Sequence, residues 1–142
     1  MILTVQQVFD ATPILAKIKD ENRPLPSKGK YRIARMHRKM EAEWNTIAER
    51  YNAMIKVYGH QRPTINGKVV TAEEAEGAAN VVMQDAVPDE KWQEFLAAWK
   101  DIAAEEIEVA VEPIPLDQLC IGGEEGGISI AEFSVLDVLV EG

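Results

Sequence analysis

The strongest hydrophobic pattern in the chain runs from Ser27 to Tyr58. Its apolar positions recur every three or four residues, which keeps them on one stripe of a helix that is about 45 Å long. The stripe consists of Ile33, Met36, Met40, Trp44, Ile47, Tyr51, Met54 and Tyr58. The pattern predicts one long central helix, with Gly59 placed to act as its C-cap.

A shorter helix is predicted before it. Thr4 and Gln7 have the spacing of a capping box, in which each side chain satisfies a free backbone donor of the other residue. Pro13 predicts a kink, or a restart that is capped by Thr12, because proline removes an intrahelical donor. Asn22–Pro26 is predicted to end this element.

A second amphipathic helix is predicted from Pro88 onward. Proline suits the first turn of a helix, and the acids Asp89 and Glu90 suit the positive end of the helix dipole. One face carries the apolar residues Trp92, Phe95, Leu96, Trp99 and Ile102. This helix is expected to pack antiparallel on the long helix.

Several shorter patterns predict a small β element and two more helices. Asn66-Gly67 is the typical two-residue turn of a hairpin, and Thr71 begins a short alanine-rich helix. Residues 106–114 alternate acids with β-branched side chains, which predicts a half-buried strand. Ser129 with Glu132 favours a helix over a strand for the C-terminal segment. The predicted fold class is α+β, mostly helical, as a single domain over residues 1–142 with 60–87 as an excursion from the helical core.

Composition adds a strong division of charge. The net charge is −9, with 15 Lys and Arg against 24 Asp and Glu. Most of the basic residues lie in the first half of the chain and most of the acids in the second half. Opposite charge permits the two halves to attract each other within one molecule or head-to-tail between copies, so a homo-oligomer is an expected state.

The basic residues of the first half concentrate in one run. Six of them lie within twelve positions: Lys28, Lys30, Arg32, Arg35, Arg38 and Lys39. The run is interpreted as a solvated face or as a partner-binding surface. Nucleic-acid binding through it is the weaker alternative, because no recognised nucleic-acid motif accompanies the run.

The loop LCIGGEEGGISI places Glu124 and Glu125 between two glycine pairs. A calcium site needs more oxygen ligands at fixed positions than two adjacent acids supply, and a phosphate cradle would meet two negative charges. The loop is therefore interpreted as a solvated connector whose acids are candidates for contact with a basic partner surface.

The remaining reactive residues form no recognisable catalytic group. His37 and His60 have no ligand at a metal spacing and are expected at the surface or as caps, and Cys120 is a single thiol that suits a reducing compartment. No segment has the length and apolarity of a membrane span, so no membrane association is expected. The sequence predicts a protein that is not an enzyme and needs no metal or cofactor.

Three stretches in order resemble a family of small bacteriophage proteins of unknown function. The first is the Leu25–Lys28 turn that leads into the long helix ending in Tyr58-Gly59. The second is the later amphipathic helix, its acidic strand and the pattern Ile114-x-Leu116-x-x-Leu119. The third is the C-terminal segment ISIAEFSVLDVLVEG. Pro13 and the insert Thr71–Asp85 depart from that pattern.

The resemblance implies a phage setting, with a location in the virion or in the host cytoplasm during infection. It implies a non-enzymatic structural or assembly protein that acts through contacts with other phage structural proteins. The alternative is a phage protein that binds and inhibits a host factor.

Overall fold

The structure, a computed structural model, describes residues 1–122 and 127–141 of the chain. The fold is α+β and mostly helical, as the sequence predicts. In chain order the helices are α1 (Val5–Asp20), α2 (Ser27–Tyr58), α3 (Ala72–Ala75), α4 (Asp89–Ala103) and α5 (Ile130–Leu136). The strands are β1 (Ile2–Thr4), β2 (His60–Ile65), β3 (Lys68–Val69), β4 (Val81–Ala86), β5 (Glu106–Glu108), β6 (Ile114–Pro115) and β7 (Val140–Glu141).

The chain divides into two compact units. The first contains Met1–Ala48 and Ala103–Gly142, and the second contains Glu49–Ile102. The long helix α2 therefore contributes residues to both units, as predicted for the central element of the fold. The expectation of a single domain with an excursion at 60–87 stays a prediction.

The first unit holds most of the buried apolar side chains. Two small sheets close it: β1 pairs antiparallel with β5, and β6 pairs parallel with β7. Its core is formed by Leu3, Val5, Val8, Leu15, Ile18, Ile33, Met36, Met40, Ile47, Val109, Val111, Ile114, Ile128, Leu136 and Leu139. The predicted stripe of α2 accounts for four of these residues, because apolar positions three and four apart face the same side.

Helix α1 begins as predicted but is not interrupted at Pro13. Both bonds of the Thr4–Gln7 capping box are present. The helix continues through Pro13 to Asp20, and the hydroxyl of Thr12 donates to the Val8 carbonyl oxygen at 2.8 Å instead of capping a new start. The predicted restart at Thr12 is therefore wrong.

The cost of Pro13 inside the helix is offset by a residue of α2. A proline at position 13 has no N–H to donate to the carbonyl of Phe9, four residues earlier. The indole Nε1 of Trp44 donates to that carbonyl oxygen at 3.3 Å, and the Trp44 ring stacks on the Phe9 ring with centroids 6.3 Å apart. Helix α1 is thus attached to α2 at the point where its own hydrogen-bond ladder is open.

The C-terminal segment is helical from Ile130, as predicted, and an ion pair holds it to the end of α1. Glu132 completes the capping box with Ser129 and also accepts a hydrogen bond from Arg23. Arg23 donates in addition to the Gly127 carbonyl oxygen and to Glu21. The hydrogen bond from the Arg23 guanidinium lowers the pKa of the Glu132 carboxyl to about 2. The same bond joins two segments that are 109 residues apart in sequence.

In the second unit, aromatic side chains join α4 to the end of α2. Tyr51 packs edge-on against Trp99 and Phe95, with centroids 4.9 and 5.5 Å away, and Tyr58 packs against Phe95 at 6.2 Å. The later residue of α2 contacts the earlier residue of α4, so the two helices run antiparallel. This confirms the predicted packing of the second amphipathic helix.

A three-stranded antiparallel sheet, in the order β3-β2-β4, completes the second unit. Asn66 and Gly67 both have positive φ, at 53° and 82°, as the predicted two-residue hairpin turn requires. Strand β4 was not predicted, because its sequence VVMQDA follows an alanine-rich segment without alternation of polar and apolar residues. The predicted helix at Thr71 is only four residues long.

The predicted strand at residues 106–114 is shorter in the structure. Only Glu106–Glu108 forms a ladder, because its partner β1 has just three residues. No local pattern in the sequence predicts β1. The predicted alternation of burial continues beyond the ladder, since Val109 and Val111 are buried while Glu112 is exposed.

Candidate partner-binding groove

The six residues of the basic run lie on the first half of α2 and divide into two groups. Four cations follow one another at spacings of four, three and four residues, which places them on one face of the helix over about 16 Å. They are Lys28, Arg32, Arg35 and Lys39, and all four line the same surface groove. Lys30 and Arg38 are not among its lining residues.

The groove has a volume of about 530 Å³ and belongs entirely to the first unit. Its opposite side is formed by Val111 and Glu112, which lie between β5 and β6. Met36 and Val111 are 3% and 6% exposed and give the groove an apolar floor. Tyr31 also lines the groove and is 65% exposed. The site therefore combines four cations, one carboxylate, an exposed aromatic ring and two buried apolar side chains.

The four cations of the groove have no partner among the residues that the structure describes. Within residues 1–122 and 127–141, none of these side chains forms an ion pair or a hydrogen bond. Arg23, by contrast, is held by two carboxylates and a backbone carbonyl. Arg23 is thus paired with carboxylates, whereas the four groove cations form no ion pair within the described residues although Glu112 lines the same groove.

The arrangement of the groove opposes the stability of the helix. Like charges at neighbouring i,i+3 and i,i+4 positions destabilise a helix by about 0.2–0.5 kcal/mol for each pair. Lys28 also lies in the first turn, where the helix dipole is positive and where no acid is present. Folding does not account for four cations at these positions, whereas an anionic ligand would be attracted by all of them.

The other two residues of the basic run have different surroundings. Lys30 lies within 3.3 Å of the Asn22 side-chain oxygen, to which its ammonium donates, and it lines a separate cavity of about 220 Å³. Arg38 is exposed. The structure thus brings four of the six predicted basic residues together and places two elsewhere.

The predicted acidic contact residues Glu124 and Glu125 lie outside the described residues. Two backbone hydrogen bonds link the residues that flank this segment in the sequence. The Gly122 N–H donates to the Ile128 carbonyl oxygen at 2.9 Å, and the Ile128 N–H donates to the Cys120 carbonyl oxygen at 2.7 Å. Gly127 packs so closely on Cys120 that a Cβ there would overlap the Cys120 carbonyl oxygen. The two ends of the predicted connector are therefore tied together by the backbone.

The two histidines differ in burial. His60 is exposed, as expected, but His37 is 8% exposed, so the surface prediction for His37 is wrong. Its Nδ1 lies 3.5 Å from the Lys19 ammonium. Burial, reinforced by the positive charge of Lys19, lowers the pKa of the His37 imidazole below its usual value. Position 37 lies four residues after Ile33 and three before Met40, and this helical spacing is a signal that the sequence prediction did not use.

The three tryptophans, all on apolar stripes of predicted helices, differ in burial. Trp44 and Trp99 pack in the two units as described above, whereas Trp92 stacks on Phe95 at 5.4 Å and stays 42% exposed. Among residues 1–122 and 127–141, no group of three or more His, Cys, Asp or Glu side chains is placed to hold a metal ion. In the same part of the chain, no helix has the length and apolarity needed to cross a membrane.

Sequence reasoning missed the apolar floor and the far wall of the groove. Met36 was predicted as a core residue, and Val111 and Glu112 were predicted on a strand, about 75 residues away in sequence. The 4-3-4 spacing of the four cations was the available signal, since that spacing selects one helix face.

Comparisons of the chain with protein-family models, with curated proteins and with solved structures found no match. The groove and its charges are therefore the basis on which a function is proposed.

Proposed function

We propose that this chain is a non-enzymatic binding protein of a bacteriophage, a structural or assembly component that docks an acidic segment of another phage protein in the groove of α2. The phage setting comes from the family resemblance. The single observation that supports the binding role is the row of four cations above an apolar floor, none of which is paired within the described part of the chain.

The chemistry of the groove favours a protein segment as its occupant. Lys28, Arg32, Arg35 and Lys39 would pair with Asp or Glu side chains, while Met36 and Val111 would receive an apolar side chain of the same segment. Ion pairs beside an apolar floor are screened less by water and salt than ion pairs on an open surface, so the attraction between their charges is stronger. The carboxylate of Glu112 would repel a continuous phosphate backbone, whereas a peptide can place a neutral or basic residue beside it.

The charge of the whole chain also favours a compact acidic segment over a nucleic acid. A net charge of −9 repels a long polyanion, whose phosphates extend well beyond the groove. A short segment interacts mainly with the local field of the four cations, because charges beyond about 8–10 Å are screened at physiological salt.

The exposed ring of Tyr31 supports nucleic-acid binding as a second candidate function. An aromatic ring among cations can stack on an unpaired base of a single strand. This candidate requires binding of an oligonucleotide that weakens steeply with salt. Binding that persists with a short acidic peptide and is absent with single-stranded oligonucleotides would exclude it.

The proposal is tested on purified particles and on charge variants. In the phage that encodes the chain, mass spectrometry of gradient-purified particles or assembly intermediates should detect the protein. Changing Lys28, Arg32, Arg35 and Lys39 to Gln should abolish this association. A matched control changes four exposed cations outside the groove to Gln, namely Arg38, Lys56, Lys68 and Lys100, which alters the net charge equally.

The outcome of the two variants decides between specific docking and general charge attraction. Loss of association with the groove variant alone supports the proposal. Equal loss with both variants would show that only net charge matters. Absence of the wild-type protein from particles and intermediates, with recovery of a host protein instead, would favour the alternative of a host inhibitor.

A further inference from the structure

The second unit carries an unprotected sheet edge at β4. Strand β2 occupies the centre of the sheet, and β4 pairs with it over six consecutive residues without a bulge. Within residues 1–122 and 127–141, no strand pairs with the other side of β4. An open edge is a template for pairing with a further strand.

The register shows which backbone groups of β4 face outward. The Pro63 carbonyl oxygen accepts a hydrogen bond from the Val70 N–H at 3.1 Å, so Pro63 directs its backbone toward the β3 side. Its partner across the other ladder is Met83, which must then direct its own N–H and C=O away from β2. By alternation along the strand, Val81 and Asp85 do the same. The edge thus offers three donors and three acceptors.

Strand β4 lacks the usual devices that block edge pairing. Natural edges carry lysine, proline or a bulge, and β4 has none of these over VVMQDA. Its one charged residue, Asp85, accepts a hydrogen bond from the Gln61 amide at 3.2 Å. Val82 and Met83 are each 54% exposed on opposite faces of the strand. Apolar side chains therefore flank an edge that is free to pair.

We propose that β4 pairs antiparallel with β4 of a second copy across a two-fold axis at Met83, joining the two sheets into one of six strands. In this register Val81, Met83 and Asp85 face Asp85, Met83 and Val81 of the copy. All six outward backbone groups of each strand are then paired.

A second copy fits this edge because the register is self-complementary in charge as well as in hydrogen bonding. No charged residue faces a like charge, since each Asp85 lies opposite a valine. Two exposed methionines meet at the axis and cover each other. A symmetric contact of one patch with itself is the commonest route to a closed dimer. This surface is separate from the groove of α2 and does not depend on the function proposed for it.

The test introduces a charged side chain at Met83, on the two-fold axis of the proposed dimer, in the whole chain. Met83→Lys places two like charges opposite each other and should weaken the dimer about tenfold or more in sedimentation velocity, measured under reducing conditions at roughly 100 μM protein. The matched control Val82→Lys, equally exposed in the monomer, faces Gln84 of the copy instead of another lysine and should weaken the dimer much less than Met83→Lys does. Mixing Met83→Lys with Met83→Glu should restore dimers, now as heterodimers.

Three outcomes would overturn the proposal. The first is a wild-type chain that is monomeric at this concentration. The second is a dimer that Met83→Lys leaves unchanged, because its contact would lie elsewhere. The third is equal disruption by Met83→Lys and Val82→Lys without recovery on mixing. Circular dichroism of each variant, together with the recovery on mixing, separates loss of pairing from loss of folding.

Discussion

The hydrogen bond from Trp44 to the Phe9 carbonyl predicts a specific energetic coupling between Trp44 and Pro13. Trp44→Phe removes the indole donor and keeps an aromatic ring. Because Pro13 has no N–H, the Phe9 carbonyl then loses the donor that α2 supplies. In a chain that also carries Pro13→Ala, the helix supplies its own donor to the same carbonyl, and the loss of the indole matters less.

The size of the coupling follows from the geometry. A typical hydrogen bond contributes about 0.5–1.5 kcal/mol net, and the 3.3 Å separation between Trp44 Nε1 and the Phe9 oxygen is longer than the usual ~2.9–3.0 Å. We therefore expect Trp44→Phe to cost about 1 kcal/mol less in the Pro13→Ala background than in the wild type. The loss of packing is the same in both backgrounds and cancels in the double-mutant cycle.

The assay is urea unfolding of the wild type, the two single variants and the double variant, followed by far-ultraviolet circular dichroism. Trp92→Phe, measured with and without Pro13→Ala, is the matched control, because it is the same substitution at a tryptophan whose indole makes no hydrogen bond within residues 1–122 and 127–141. Its cost should be independent of residue 13. If Trp44→Phe costs the same in both backgrounds, within about 0.3 kcal/mol, the indole does not compensate for the proline and the account of α1 is wrong.

Three further predictions concern the first unit. Glu132→Gln should lower the free energy of unfolding at pH 7 by about 2 kcal/mol, because the charge-assisted hydrogen bond to Arg23 is lost. The pKa of Glu132 is depressed to about 2, so the higher stability of the wild type should fade as the pH falls from about 4.5 toward 2. Urea unfolding at several pH values measures this difference. The melting temperature of the wild type should fall as the pH drops below about 6.5, because the pKa of His37 is lower in the folded state and the unfolded state therefore binds more protons. His37→Gln should reduce this fall, and an unchanged pH profile of the melting temperature would contradict the prediction. Gly29→Ala should cost at least about 2 kcal/mol, since a Cβ at this position would overlap the Gln118 carbonyl oxygen; a neutral effect in thermal unfolding would refute it.

The helices were predictable because their signals are local. The stripe of α2, the capping boxes at Thr4 and Ser129, and the Asn66-Gly67 turn each lie within a few residues of the structure that they specify. The local pattern around Pro13 predicted a restart of the helix at Thr12, which is wrong. The donor that compensates for the proline is Trp44, which lies 31 residues later on α2. A tertiary hydrogen bond of this kind leaves no trace in the pattern around the proline.

The strands β1 and β4 and the full groove depended on pairings distant in sequence. Strand β1 has three residues and pairs with residues more than 100 positions away. The groove joins the start of α2 to Val111 and Glu112, whose approach follows from the packing of the first unit. The sequence located the basic run, but only the helix geometry separates the four cations of the groove from Lys30 and Arg38.

The central proposal, an acidic partner segment docked in the groove of α2, is tested most directly by site-specific photo-crosslinking. A photo-reactive phenylalanine derivative replaces Tyr31 at the groove, and the same derivative at Arg38 serves as the control outside it. In cells that express the chain together with its partner, position 31 should crosslink to one Asp- and Glu-rich protein segment, which the proposal expects to belong to a phage particle protein, while position 38 should not; peptide mass spectrometry identifies the segment. Crosslinking of position 31 to nucleic acid, or equal crosslinking from both positions, would contradict the account.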